Sequence, residues 1–209
     1  KRLIKSPLNI NNFTDDQKKL LFNSRLDNYL SATDSKGQPT AVEMAGPRDK
    51  IYFNPRQTRV AIVTCGGLCP GINDVIRSIT SALFFSYGVK DIIGIRYGLR
   101  GLNPRFGHEP VKLSPEAVKD IAGMGGSILS TSRGPQDVKV MVDYLVRSKI
   151  NILFCIGGDG TIRAAEKLTA EINRRNLKIS IVCIPKTIDN DLHLIQKSFG
   201  FDTAIEKAA

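Results

Sequence analysis

The chain has 209 residues, 42% of them hydrophobic and 24% charged, and carries a formal net charge of +10. That composition belongs to a folded globular protein rather than a disordered one, and no apolar run approaches the roughly 20 residues needed to cross a bilayer. The basic excess is scattered (Lys18-Lys19, Lys112, Lys119, Arg174-Arg175), without a sustained block or aromatics interleaved with basics, so neither a nucleic-acid nor a membrane partner is expected.

Residues 1–55 read as an amino-terminal extension. Lys1–Leu30 mixes charged, amide and apolar residues too evenly for a secretory leader, which predicts a soluble, cytoplasmic protein. Within it Thr14–Leu30 is expected to be helical after the Asn11-Asn12-Phe13-Thr14 cap signal, and Asp34-Ser35-Lys36-Gly37 to be a turn. No strand is expected in this part, which should pack on the following domain or on a partner subunit rather than form its own core.

Residues 56–209 change pattern. Val60–Val63 is a β-branched run ending in Cys65-Gly66-Gly67, and Pro70–Tyr87 places Ile72, Val75, Ile76, Ile79 and Leu83 at helical spacing. Ile92–Ile95 predicts a second strand ending at Tyr97-Gly98, and Gln136–Arg147 a helix. Ile150–Ile156 predicts a third strand, Thr161–Ile172 a helix, Ile179–Ile184 a fourth strand, and Phe201–Ala209 the start of another helix. Strands and helices alternating in this way predict an α/β, Rossmann-like three-layer sandwich with a mostly parallel sheet, preceded by the extension. Cys155 and Cys183 fall inside apolar runs, while Cys65 and Cys69 flank a glycine turn without the clustered histidines or second cysteine pair of a zinc site. Reduced thiols are expected.

Three segments follow predicted strands at the edge where open α/β sheets bind ligands: Gly66–Gly71, Gly157–Thr161 and Pro185–Asp191. Glycines there serve either a tight turn or the close approach of backbone N–H groups to an anion. In Gly157-Gly158-Asp159-Gly160-Thr161 the carboxylate would repel a polyphosphate unless Mg²⁺ lies between them; Asp159 would equally serve as a helix N-cap, and the two roles are compatible. Gly66-Gly67-Leu68-Cys69-Pro70-Gly71 is neither a Walker A loop nor a dinucleotide fingerprint, and reads as an anion site or a turn. Pro185-Lys186-Thr187-Ile188-Asp189-Asn190-Asp191 places two carboxylates, a hydroxyl and an ammonium after a buried strand. It reads as a catalytic segment with a general base, or as an Asx-rich turn.

Together these segments resemble the phosphofructokinase family. Gly66-Gly67-Leu68-Cys69-Pro70-Gly71-Ile72-Asn73, then Gly125-Gly126 leading to Ser130-Thr131-Ser132-Arg133-Gly134-Pro135, the Gly157–Thr161 loop, Pro185–Asp191 and Phe199-Gly200-Phe201-Asp202-Thr203-Ala204 stand in that family's order. The resemblance runs from about Ala45 onward and is closest to the long ATP-dependent forms of plants, protists and some bacteria, which also carry an amino-terminal extension. It implies a 6-phosphofructokinase that transfers the γ-phosphoryl group of ATP to the 1-hydroxyl of fructose 6-phosphate. Asp189 would be the general base, with Lys186, Thr187 and Asp191 also catalytic and Thr187, Ile188 and Asp189 at the sugar phosphate. Gly66, Arg133, Gly134, Gly158, Asp159, Gly160 and Thr161 would hold the nucleotide, Tyr97 would line the adenosine pocket, and Asp159 would bind Mg²⁺. A homodimer or homotetramer is implied for the whole enzyme. The sugar-phosphate half of the family lies beyond the residues given, so 209 residues alone would bind nucleotide at best. Any carboxyl-terminal address would lie there too, which leaves a glycosome-like compartment open beside the cytoplasm.

The same resemblance bears on the donor. Pyrophosphate-using members typically carry Asp where this chain has Gly160, and Gly leaves room for an α-phosphate. Lys186 is the residue usual among pyrophosphate users, but the long ATP-dependent forms combine both residues. ATP is therefore the expected donor, with pyrophosphate the alternative and a nucleotide-binding module without turnover the alternative from another class.

Overall fold

A computed structural model describes residues 3–21, 41–192 and 195–209. The chain divides into two compact units, Lys1–Asn54 and Pro55–Ala209. In the first unit, β1 (Ile4–Lys5) pairs antiparallel with β4 (Lys50–Ile51), and β2 (Lys19–Leu21) with β3 (Ala41–Glu43). These strands correct the expectation that this part holds none. The helix expected over Thr14–Leu30 is also corrected in its described part, Thr14–Leu21. The Thr14 and Asp15 carbonyls accept from the Arg48 guanidinium at 3.0 and 2.7 Å, and Asp15 closes a turn onto the Gln17 N–H. Carbonyls so engaged do not serve i→i+4 bonds, and the following residues pair as a strand. The rest of that helix and the Asp34–Gly37 turn lie outside the described residues.

The second unit is built on a five-stranded sheet. Its strands are β5 (Arg59–Thr64), β6 (Asp91–Ile95), β7 (Val111–Leu113), β8 (Ile152–Gly157) and β9 (Ser180–Pro185), in the spatial order β7-β6-β5-β8-β9. All neighbours run parallel except β6 and β7, an antiparallel edge that the sequence periodicity did not indicate. Alternation along β5 explains why Val60–Val63 is apolar throughout. Val60 and Ile62 point into one core with Ile72, Ile76 and Ile156, while Ala61 and Val63 point into the other with Met141, Leu145, Leu153 and Leu168. Parallel strands buried on both faces give continuous apolar runs, each fully buried large aliphatic side chain contributing about 1.5–3 kcal/mol.

Helices cover both faces, which makes the unit an α/β, Rossmann-like three-layer arrangement. α1 (Ile72–Ser81) buries Ile72 and Ile76 on one side; α2 (Val138–Arg147) and α3 (Asp159–Arg174) bury Met141, Leu145, Leu168 and Ile172 on the other. α2 starts where Asp137 accepts from the Lys139 and Val140 N–H groups at 2.8 and 3.2 Å, so the helix begins two residues later than its apolar spacing indicates. α1 is shorter than the expected Pro70–Tyr87 because Ala82–Ser86 widens into a π-turn, closed by the Tyr87 N–H on the Ala82 carbonyl. α4 (Phe201–Ala208) follows Gly200. No helix among the described residues is long and apolar enough to cross a membrane.

The chain leaves β5 outward to β6 and β7, then returns to β8 on the opposite side of β5. The carboxyl ends of β5 and β8 therefore flank a topological switch point, where an open α/β sheet parts to admit a ligand.

Candidate active site

A groove of about 540 Å³ opens at this switch point. The turn after β5 contributes Cys65, Gly66 and Gly67, and the start of α3 contributes Gly158, Asp159, Gly160 and Thr161. The segment before α2 contributes Ser132, Arg133 and Gly134, and the residue after β9 contributes Lys186. Seven of the eight residues expected at the nucleotide thus line one groove, together with Lys186; Tyr97 does not.

Local backbone geometry suits this end of the groove to an anion. Gly66 and Gly134 take φ values of +80° and +98°, which residues with a Cβ rarely adopt. The Gly66 N–H is not itself offered, because it donates to the Ser132 carbonyl at 3.2 Å; this residue shapes the turn. Gly158 is the N-cap of α3 and no side chain caps the helix, so Asp159 is the first helical residue and does not serve as the N-cap. The first N–H groups of a helix carry the positive end of its dipole; in α3 the Thr161 N–H already donates to the Gly158 carbonyl at 2.8 Å, which leaves those of Asp159 and Gly160 facing outward without a described acceptor. Gly157 is required for packing, since a Cβ there would collide with the Thr161 side chain. At Gly160 a Cβ would meet nothing within 4 Å.

The charges at this end are cationic and largely unspent. Arg133 is exposed and has no acid partner among the described residues. Lys186 is only 5% exposed, and none of the described hydrogen bonds or ion pairs engages its ammonium group. No buried side-chain nitrogen or oxygen among the described residues lacks a partner, so the Lys186 ammonium opens on the groove, where an anion would meet it. Asp159 is exposed and lies 3.7 Å from the Arg163 guanidinium. Among the described residues no group of three or more His, Cys, Asp or Glu forms a self-contained metal cage. One exposed carboxylate beside a glycine loop would suit Mg²⁺ if a polyphosphate lay there, since Mg²⁺ takes one or two carboxylates and completes its octahedron with phosphate oxygens and water.

Cys65 also faces the groove, 4% exposed. Burial pushes its thiol up to about 11, against the smaller opposing pulls of a hydrogen bond with Thr161, the Leu99 backbone and the Lys186 ammonium. At pH 8 about one molecule in a thousand then carries a Cys65 thiolate. Iodoacetamide should label Cys65 far more slowly than a free cysteine at that pH, as read by peptide mass spectrometry. Labelling at the rate of a free thiol would contradict this.

The Pro185–Asp191 segment folds as a tight polar loop. The Thr187 hydroxyl donates to Asp191 at 2.6 Å and accepts from the Asp189 N–H at 3.2 Å. Its single proton is therefore committed within the loop. Asn190 sits at φ +54° and its side-chain Oδ1 accepts from the Ser198 N–H at 2.7 Å; the Ser198 hydroxyl donates to the Thr187 backbone carbonyl at the same distance. Ile188 and Asp189 are exposed, and no described side chain engages the Asp189 carboxylate. Thr187, Ile188, Asp189 and Asp191 do not line the groove; they follow Lys186, which does.

Tyr97 is held elsewhere by a left-handed backbone (φ +60°), and its ring packs on His108 at 4.4 Å with the Arg96 guanidinium 5.2 Å from its centre. The apolar end of the groove is made instead by Leu99, Pro135, Val138, Met141 and Ala164, with Gln136, Arg163 and Lys167. Sequence reasoning missed these residues. Helical spacing carried a signal for some of them: positions 159, 160, 163, 164 and 167 share one face of the helix that the glycine loop opens.

Sheet, switch-point groove and uncapped helix start define an α/β protein of the Rossmann-like class with a glycine-lined cleft at the switch point. The model of the phosphofructokinase family matches residues 59–209, and the chain belongs to that family. It is 53% identical over 167 residues to the ATP-dependent 6-phosphofructokinase of Borreliella burgdorferi, covering 80% of this chain and 37% of that protein. It is 47% identical over 197 residues to the ATP-dependent 6-phosphofructokinase of Trypanosoma brucei brucei, covering 94% and 40%. Among solved structures, Pichia pastoris phosphofructokinase in the T-state superposes with a TM-score of 0.64 at 26% identity, over 74% of this chain and 16% of that one. A pyrophosphate-dependent phosphofructokinase from Marinobacter aquaeolei gives 0.61 at 20% identity over 69% of this chain and 37% of that one, a likeness of fold. The chain thus spans 37% and 40% of the length of the two curated relatives.

Proposed function

We propose that this chain is the donor-binding part of an ATP-dependent 6-phosphofructokinase, and that the complete protein transfers the γ-phosphoryl group of Mg·ATP to the 1-hydroxyl of fructose 6-phosphate. The Lys186 ammonium, which opens without an acid partner among the described residues onto a groove built of glycine turns, is the observation that carries this reading. The start of α3 and Arg133 hold the polyphosphate, Lys186 balances its charge, and the apolar end takes the nucleoside. Asp159 holds Mg²⁺ against the phosphate oxygens, and the metal supplies charge neutralisation. Asp189 accepts the proton of the attacking hydroxyl. Thr187 and Asp191 fix the Asp189 backbone, and Ile188 borders the sugar phosphate. Positioning and charge stabilisation are what phosphoryl transfer asks of a protein.

ATP rather than pyrophosphate is the donor because Gly160 leaves open space where the α-phosphate would lie. A coupled assay of fructose 1,6-bisphosphate formation by the complete protein, run with each donor, tests this. Turnover with Mg·ATP and little or none with pyrophosphate is expected; the reverse order would overturn the assignment.

A further inference from the structure

The segment that brings Arg133 to the groove is anchored in the core by Ile121 and Leu129, but between them it has a stretch with little packing of its own. Ala122, Gly123, Met124 and Gly125 are exposed, and Gly123 and Gly126 take φ values of +75° and +77°. Glycines with little side-chain contact do not set a loop's path, and its course has to come from outside pins.

The upstream pin is Asn73, the second residue of α1 and 1% exposed. Its Nδ2 donates to the Met124 carbonyl at 3.0 Å and its Oδ1 accepts from the Ile128 N–H at 2.9 Å. One side-chain amide thus serves a carbonyl and an N–H four residues apart on the loop. The downstream pins are the fully buried Leu129, whose carbonyl accepts from the Tyr97 N–H at 2.8 Å, and the sheet end. The Thr64 hydroxyl donates to the Ser130 carbonyl at 2.7 Å, which leaves the Ser127 hydroxyl to donate to Thr64 Oγ at 2.8 Å while accepting from the Leu129 N–H at 3.2 Å. The Gly66 N–H then holds the Ser132 carbonyl, immediately before Arg133.

We propose that Asn73 is a positioning residue of the donor site, acting through Arg133. This rests on the reading that Arg133 holds the donor's phosphates. Asn73 touches no groove-lining residue by hydrogen bond; it fixes the two ends of the Met124–Ile128 turn, and the Thr64–Ser127 pair passes that register to Ser132 and Arg133. Residues that act through one another give non-additive effects, whereas a residue that only stabilises the fold does not.

The test is a double-mutant cycle on the complete protein, read as the Kd for Mg·ATP by titration calorimetry, with thermal midpoints in parallel. Arg133→Ala should weaken binding by about tenfold or more, as loss of a charged hydrogen-bond donor does. Asn73→Ala should weaken it by about fivefold, and the double variant should bind within about twofold of Arg133→Ala alone. Should Asn73→Ala not fold, Asn73→Asp carries the same cycle; it keeps the acceptor for the Ile128 N–H and removes the donor to Met124. Effects that multiply, or an Asn73 variant with wild-type affinity, would overturn the proposal while leaving the Arg133 reading intact. Wild-type affinity in Arg133→Ala would remove that reading, and the proposal with it.

Discussion

Asp189→Asn in the complete protein should leave the Kd for Mg·ATP within about twofold of wild type and lower kcat by about a hundred- to ten-thousand-fold, the range a general base contributes. The Asp189 carboxylate is exposed and unengaged among the described residues, so the amide replaces it without breaking a contact. The bond that shapes the loop here comes from the Asp189 backbone N–H to the Thr187 hydroxyl, which the substitution keeps. The groove is lined up to Lys186 and not beyond, so the proposed donor affinity and base chemistry are separable. A parallel loss of Mg·ATP affinity would show instead that Asp189 maintains the groove.

Gly160→Asp should fold as wild type, with an unchanged or slightly raised thermal midpoint, and bind Mg·ATP about a hundredfold or more weakly. The added Cβ meets nothing within 4 Å, and a carboxylate in the first turn of α3 is favourable for the helix itself. Binding suffers because the new charge projects toward the space assigned to phosphate. Like charges about 4 Å apart in a partly shielded site repel by several kcal/mol, enough for two decades of affinity. Gly160→Ala separates bulk from charge and should cost much less. Unchanged Kd and KM for ATP in the aspartate variant would remove the steric and electrostatic basis for donor choice.

The parallel strands were legible because burial on both faces writes itself as an apolar run: Val60–Val63 and Ile152–Ile156 carry almost no polar residue. α1, α2 and α3 were legible through i, i+3, i+4 spacing, though caps and the π-turn moved their ends. The short strands β1–β4 and the edge strand β7 were not, since two or three residues are too few for a period and their pairing is set by distant partners. The glycine turns of the groove stood out by composition. Tyr97 did not reach the groove because a left-handed backbone turned it to His108, and nothing in the residue order announces that. Asn73 is similar. Its two acceptor and donor partners lie 51 and 55 positions away, a closure only the folded chain displays.

On the proposed function, one groove at the β5–β8 switch point holds the donor's polyphosphate. A crystal structure of the protein with Mg²⁺ and a non-hydrolysable ATP analogue tests it most directly. Phosphate oxygens are expected about 2.7–3.2 Å from the first N–H groups of α3 and from the Arg133 guanidinium, with the Lys186 ammonium as their counter-charge. Phosphates bound away from Gly158–Thr161, with Lys186 still unpaired, would contradict it.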